Sequence, residues 1–335
     1  MGFQKGKLKL SMYRIDDNPH NGAIELIEAA AKKAAIPISD VKTTPDGVSI
    51  GFASGKILLD SQITEGNSLI DGYAVLNVRS TAKKIDAGLL KAVIQREEAA
   101  YRKANNSEFV PKKARRQIKE ESVERLMADA TLAVKGTELV FDGDRLLIGA
   151  TSARECDTVC DLLLKDLGVV SEWKKHTDAT GDSFGAGRKF LTWLFNCVKE
   201  GVSMPGFVQV MIEGPLELLA PDDCDSAEKG NCTKAKLEGG TVANSIELDT
   251  ALAIKKNIRK AKLALVKGDD VWKFTFDADA WNFSGLELPK DCETFADRMD
   301  AIRELYTEMD GLFSAWKIAQ ATELGIVELP NMEKK

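Results

Sequence analysis

The stretch that most constrains the fold is "RKAKLALVKGDDVWKFTFDADAW", residues 259 to 281. Apolar and polar residues alternate on both sides of Gly268-Asp269-Asp270, and two period-two arms about a Gly-Asp turn form a β-hairpin. The same alternation runs from Lys7 through "MGFQKGKLKLSMYRI", and it returns in "GVSIGFA" (47 to 53), "GYAVLNVRS" (72 to 80) and "FVQVMIEG". "TELVFDGDRLLIGATS" (137 to 152) predicts a second hairpin, about Asp142-Gly143-Asp144.

Helical periods lie between these strands. "NGAIELIEAAAKKAA" (21 to 35) places Ile24, Ile27 and Ala31 on one stripe. From Ala87 a stripe of Leu90, Val93, Ile94 and Tyr101 predicts a helix that "NNSEFVP" breaks; Pro111 then suits the first turn of a second helix. "ARECDTVCDLLLKDLG" (153 to 168) is a helix closed by Gly168, and "GRKFLTWLFNCVKEG" (187 to 201) is one with Phe190, Leu191, Trp193, Leu194 and Cys197 on its apolar face. Residues 220 to 240 are polar and Gly-rich, hence a loop or hinge, followed by a helix near 244 to 256. The tail from Phe295 is a long amphipathic helix or helix pair, carrying more apolar surface to Ala321 than one such helix normally buries alone. The class is α+β, with interleaved helices and antiparallel β-hairpins. Along the chain this gives an N-terminal α+β region (1–86), a helical hairpin (87–127), a central α+β region (128–219), a polar loop (220–243) and a C-terminal hairpin with its tail (244–335).

With 44% hydrophobic and 29% charged residues in 335, the composition is that of a globular protein with a large core. No run approaches the roughly 18 apolar residues that span a bilayer, and the N-terminus reads as a strand rather than a signal peptide. Six cysteines stand at 156, 160, 197, 224, 232 and 292 with no CxxC, and His20 and His176 are the chain's two imidazoles. This pattern points to reduced, packed thiols in a cytoplasmic protein, without zinc or other cofactor.

The formal net charge of -6 conceals an asymmetry. From Lys91 to Lys119 nine Lys/Arg stand against three Glu, a balance of +6, so the remainder carries -12. Lys112, Arg115, Arg116 and Lys119 recur at i, i+3, i+4 and i+7, which puts them on one face of the second helix with Lys113 alongside. That face continues as Val123, Leu126 and Met127, so it either passes from exposed to buried or kinks. Like charges stacked at these spacings repel, which is tolerable where an external anion neutralises them. Two further clusters are Arg79, Lys83 and Lys84, and Lys255, Lys256, Arg259, Lys260 and Lys262. Sorted charge of this kind is the footprint of a polyanion binder, and the bland alternative is a set of solvated faces. No regular aromatics interleave with the clusters and no recognition helix stands out, so contact is expected with the nucleic-acid backbone and without sequence readout.

Two stretches suggest catalysis instead. "DATGDSFGAG" (178 to 187) is similar to the sugar-kinase signature, with Asp182 as base and Gly181, Gly185 and Gly187 baring amides to a phosphate. It lacks two residues of that pattern, and the strand–helix crossovers of such a fold are missing upstream. Asp142/Asp144 and Asp277/Asp279 are the carboxylate pairs available to a metal-dependent nuclease, though turn aspartates are common for conformational reasons.

Several stretches together resemble the RdgC recombination-associated proteins: "LSMYRI", "PKKARRQIKEESVERL", "LVFDGDRLLIGATSARECDTVCDLLLKDLG", "GRKFLTWLF" and the 259 to 281 hairpin, in the same order and spacing. The resemblance covers most of the chain. It implies a ring-shaped homodimer whose basic hole encircles single- or double-stranded DNA without sequence preference, at the nucleoid, and which restrains a RecA-type recombinase by competing for DNA. Lys112, Lys113, Arg115, Arg116 and Lys119 would then line the hole, and no residue would be catalytic. The chain departs from relatives with a Pro-Arg-Ala-Phe segment, reading Ala128-Asp129-Ala130-Thr131 there, and its 220 to 240 loop is its own.

Overall fold

A computed structural model describes residues 2–38, 48–128, 130–202, 209–220, 234–239 and 242–324. In chain order its elements begin with β1 (Leu8–Asp17), α1 (Ala23–Ala31), β2 (Val48–Ser54), α2 (Glu65–Ser68), β3 (Leu69–Ile70) and β4 (Tyr73–Lys84). A helical hairpin follows, α3 (Ala87–Ala104) and α4 (Lys112–Ala128), then β5 (Thr131–Asp142), β6 (Arg145–Ile148), α5 (Ala153–Leu167) and β7 (Val170–Trp173). The remainder comprises α6 (Ala186–Glu200), β8 (Gln209–Leu219), β9 (Lys234–Leu237), α7 (Ile246–Ala253), β10 (Asn257–Lys267), β11 (Asp270–Asp277), β12 (Asn282–Glu287) and α8 (Phe295–Glu323).

The chain is α+β and forms two compact units. One contains residues 1–18, 141–164 and 168–335; the other contains 19–140 and 165–167. In the first, the strand order is β6-β1-β12-β11-β10-β8-β9, every neighbouring pair antiparallel, and β7 takes the later half of one β1 edge. In the second, β4 lies between β2 and β5, with β3 added to it.

Both sequence-predicted hairpins form. Lys267 faces Asp270 across a two-residue turn in which Gly268 has φ 60°, a conformation that a side chain disfavours. Gly143 (φ 62°) does the same between β5 and β6. Alternation then buries Trp272, Phe274 and Phe276 on one face of β11.

The tail is one helix of 29 residues, opened by a capping box between Thr294 and Asp297. Its apolar stripe of Met299, Ile302, Leu305, Tyr306, Met309, Leu312, Phe313 and Trp316 is buried, which corrects the expectation of surplus apolar surface along it. Trp272 Nε1 donates to the Ala301 carbonyl at 3.0 Å, and Phe283 meets Tyr306 edge to face. Buried Arg298 donates to the carbonyls of Phe3 (2.6 Å) and Gly6 (2.9 Å), tying down the segment before β1.

Two stripes differ from the sequence reading. In α1 the buried residues are Leu26, Ile27 and Ala30, while Ile24 and Ala31 are exposed. In α6 Phe195 is buried and Trp193 only half so. Most of the polar 220 to 243 stretch lies outside the described residues, but its described part includes strand β9, paired to β8. Among the described residues no helix is long and apolar enough to cross a membrane.

Candidate nucleic-acid interface

Asp86 caps α3, accepting from the Leu89 amide at 2.8 Å, and Asn105 ends it with its side-chain amide on the Tyr101 carbonyl. Asn106 takes a left-handed conformation, φ 45°, and the Ser107 amide donates to Arg102 O at 3.1 Å, which turns the chain. α4 then begins after Pro111, whose carbonyl accepts from the Arg115 amide. α3 and α4 pack chiefly on each other, and α3 buries no residue fully. Its stripe of Leu90, Val93, Ile94 and Tyr101 is half-buried.

Ion pairs staple the two helices. Glu98 meets Arg115 at 2.9 Å, and Glu97 accepts from Arg125 at 3.0 Å. Hydrogen bonds from Arg96 and Arg125 hold the Glu97 carboxyl below its ordinary pKa. Over residues 87–128 ten Lys/Arg face six Glu, a balance of +4, so the acidic second half of α4 trims the excess.

Along α4 the charged face passes from exposed to half-buried, the first of the two courses open to it. Lys112, Lys113, Arg115, Arg116 and Lys119 are exposed, and the face becomes half-buried at Val123, Leu126 and Met127 without a break in the helix. Arg116 pairs with Glu120 at 2.8 Å on an exposed surface, where such a pair is worth little and exchanges readily for another anion. Lys112, Lys113 and Lys119 have no acidic partner among the described residues.

The other expected contacts divide. Arg79 is 1% exposed, and its guanidinium donates to Ile36 O (2.5 Å), Leu59 O (2.9 Å) and Ser61 Oγ (3.0 Å). It holds loops together and cannot reach a phosphate, a correction to the sequence reading. Lys83 is half-buried and caps α4 by donating to Met127 O at 3.0 Å; Lys84 beside it is exposed.

In the other unit, Lys256 is 8% exposed, too buried for phosphate contact. Arg259 lies 3.1 Å from Glu217, 3.3 Å from Asp277 and 3.2 Å from Asp279, and Lys260 lies 2.9 Å from Asp277. Lys262 pairs with Glu213 at 2.6 Å. Antiparallel register sets these cations opposite carboxylates, so the cluster is largely neutralised. Lys255, at φ 63°, is the exposed member without an acidic partner among the described residues.

The catalytic alternatives meet the same kind of engagement. In the 178 to 187 stretch the buried carboxylate is Asp178, not Asp182. Its Oδ1 accepts from Thr180 N (2.9 Å), Thr180 Oγ1 (2.6 Å) and Asp182 N (3.1 Å), and Lys189 reaches Oδ2 at 3.3 Å. Burial alone would raise this carboxyl, but these donors outweigh it and hold its pKa below the ordinary value. The amides of Gly181, Phe184 and Ala186 also donate locally, leaving little of an anion cradle. Gly187 has a packing reason: a Cβ there would lie 1.9 Å from Ala278 O. Asp142 accepts from Arg303 Nε (2.9 Å) and Nη2 (2.5 Å), and Arg188 donates to Asp279 at 2.5 Å.

Neither a scan against protein-family models nor a search of the curated proteins gives a match to this chain.

Proposed function

We propose that this chain is a sequence-independent DNA-binding protein of the RdgC kind, in which the exposed face of α4 contacts phosphates. The observation that carries the reading is the row formed by Lys112, Arg115, Arg116 and Lys119, with Lys113 beside it. All five are exposed on one continuous helix, and the three lysines lack acidic partners among the described residues. Lysine ammonium groups are point charges that suit a repeating phosphate backbone. Lys84, Lys91 and Lys103, exposed on and beside α3, extend the same field.

The resemblance noted in the sequence adds the assembly: a homodimer closing a ring around DNA at the nucleoid, and limiting a RecA-type recombinase by occupying its substrate. A metal-dependent nuclease or a phosphotransferase is less well supported, since Asp142, Asp277 and Asp279 are bound by arginine or lysine and the Gly-rich stretch satisfies much of its own backbone.

The test is binding of fluorescent duplexes of unrelated sequence to the full chain and to a variant with Lys112, Arg115, Arg116 and Lys119 changed to Ala. Equal weakening on every duplex supports the reading; parent-like binding by the variant would refute it. Light scattering checks the assembly, with about twice the 36.6 kDa chain mass expected. A monomer at micromolar concentration would remove the ring.

A further inference from the structure

We infer that Phe109, at the tip of the α3–α4 hairpin, is a stacking platform for an unpaired nucleobase, which gives the hairpin a preference for single-stranded over duplex DNA. The inference rests on the phosphate-binding reading of α4 and adds the class of nucleic acid.

Phe109 is 68% exposed, whereas among the described residues every other phenylalanine except Phe184 is buried. The loop holds it out rather than leaving it slack. Ser107 Oγ donates to the Phe109 carbonyl at 2.9 Å and lies 3.3 Å from the Phe109 amide, which donates to it. On one side the Ser107 amide is fixed to Arg102 O; on the other Val110 is buried, 5% exposed, and Pro111 fixes the entry to α4. A backbone anchored on both sides costs a bound state little further ordering, which is what a recognition aromatic needs.

The surroundings select the ligand. Arg102 and Lys103 close α3, and Lys112 and Lys113 open α4, against one local acid, the exposed Glu108. An exposed ring between two cationic helix ends in the chain matches a ligand that carries a π-face and a phosphate in each repeat, which is a single strand with its bases unstacked. In a duplex the bases are stacked on each other, so the ring gains nothing there without opening a step. A protein partner is the poorer fit. One projecting ring amid charges falls far short of the roughly 800 Å² per partner that a stable interface buries.

The experiment measures anisotropy of labelled single-stranded and duplex oligonucleotides of equal length with the full chain and with Phe109→Ala, Phe109→Leu and Phe109→Tyr variants, folding being checked by circular dichroism. Loss of one stack weakens single-strand binding roughly tenfold in the Ala and Leu variants. The Tyr variant should keep it, and duplex binding should stay within about twofold of the parent. Equal losses on both DNAs, no loss on either, or rescue by Leu would overturn the inference while leaving the phosphate reading intact. Equal losses joined to a fall in light-scattering mass would assign Phe109 to contact with a second copy and overturn it too. A parent chain that binds neither DNA would overturn the phosphate reading and this inference together.

Discussion

Changing one glycine to alanine in each of two helices should move stability in opposite directions. Gly311 lies on the exposed side of α8, where an added Cβ meets nothing within 4 Å. Gly311→Ala should therefore stabilise by about 1 kcal/mol through helix propensity alone. Gly187 opens α6, where the same Cβ would lie 1.9 Å from Ala278 O and 2.8 Å from Ala278 C. Both are backbone atoms of the turn between β11 and β12, which cannot swing aside like a side chain. Relieving the contact requires about 1 Å of movement between helix and turn, and overpacking of this kind costs roughly 1–3 kcal/mol or more. Against the same propensity gain, Gly187→Ala should be a net loss of about 1–2 kcal/mol. For a unit of about 200 residues that corresponds to a midpoint lowered by roughly 2–8 °C, with Gly311→Ala raised by about 2–4 °C. Thermal unfolding followed by circular dichroism reads both. A Gly187→Ala protein as stable as its parent would refute the packing explanation and return Gly187 to the phosphate-binding candidates.

Arg79→Met should cost roughly 1–3 kcal/mol, because it removes the part-buried hydrogen bonds that the guanidinium donates to the carbonyls of Ile36 and Leu59; urea unfolding measures it, and DNA affinity of the folded protein should not change. His176 is stacked on Trp281 at 3.6 Å, with Phe313 edge-on and Nε2 3.9 Å from Asp310, which Lys174 holds at 2.8 Å; burial pushes its pKa below 6.5. As pH falls below about 6.5 the unfolded chain takes up this proton before the folded one, so stability should decline by at most about 1.4 kcal/mol per pH unit. Urea midpoints at pH 7.5 and 5.5 should differ less in His176→Phe than in the parent. Labelled linear DNA incubated with Mg²⁺ or Mn²⁺ should stay intact; shortening that vanishes in Asp142→Ala or Asp277→Ala would establish a nuclease.

Local rules carried much of the fold. Period-two arms about Gly143 and Gly268 gave both hairpins, and Gly168 ended α5 in the expected left-handed conformation. What failed depended on neighbours. Ile24 and Leu26 are equally apolar, and packing alone decided that Leu26 faces inward. Arg79 looked like surface charge, although its place in the apolar run "AVLNVRS" was a signal that both faces of β4 are covered. Arg259 and Lys260 read as free cations because their carboxylates come from β8 and β11, and cross-strand register is invisible in one sequence. The α4 face was legible because helical spacing is local. The exposure of Phe109 was not, since it depends on how Ser107 and Val110 anchor the loop.

If the α4 lysines neutralise DNA phosphates, they set how duplex affinity depends on salt. Each neutralised phosphate contributes roughly -0.9 to the slope of log K against log salt. Lys112, Lys113 and Lys119, free of acidic partners among the described residues, should contribute more fully than Arg115, which must first leave Glu98. Changing the three lysines to Ala should flatten the slope by about 2 to 3 units, equally on duplexes of unrelated sequence. A slope unchanged from the parent would contradict the account and leave α4 a solvated face.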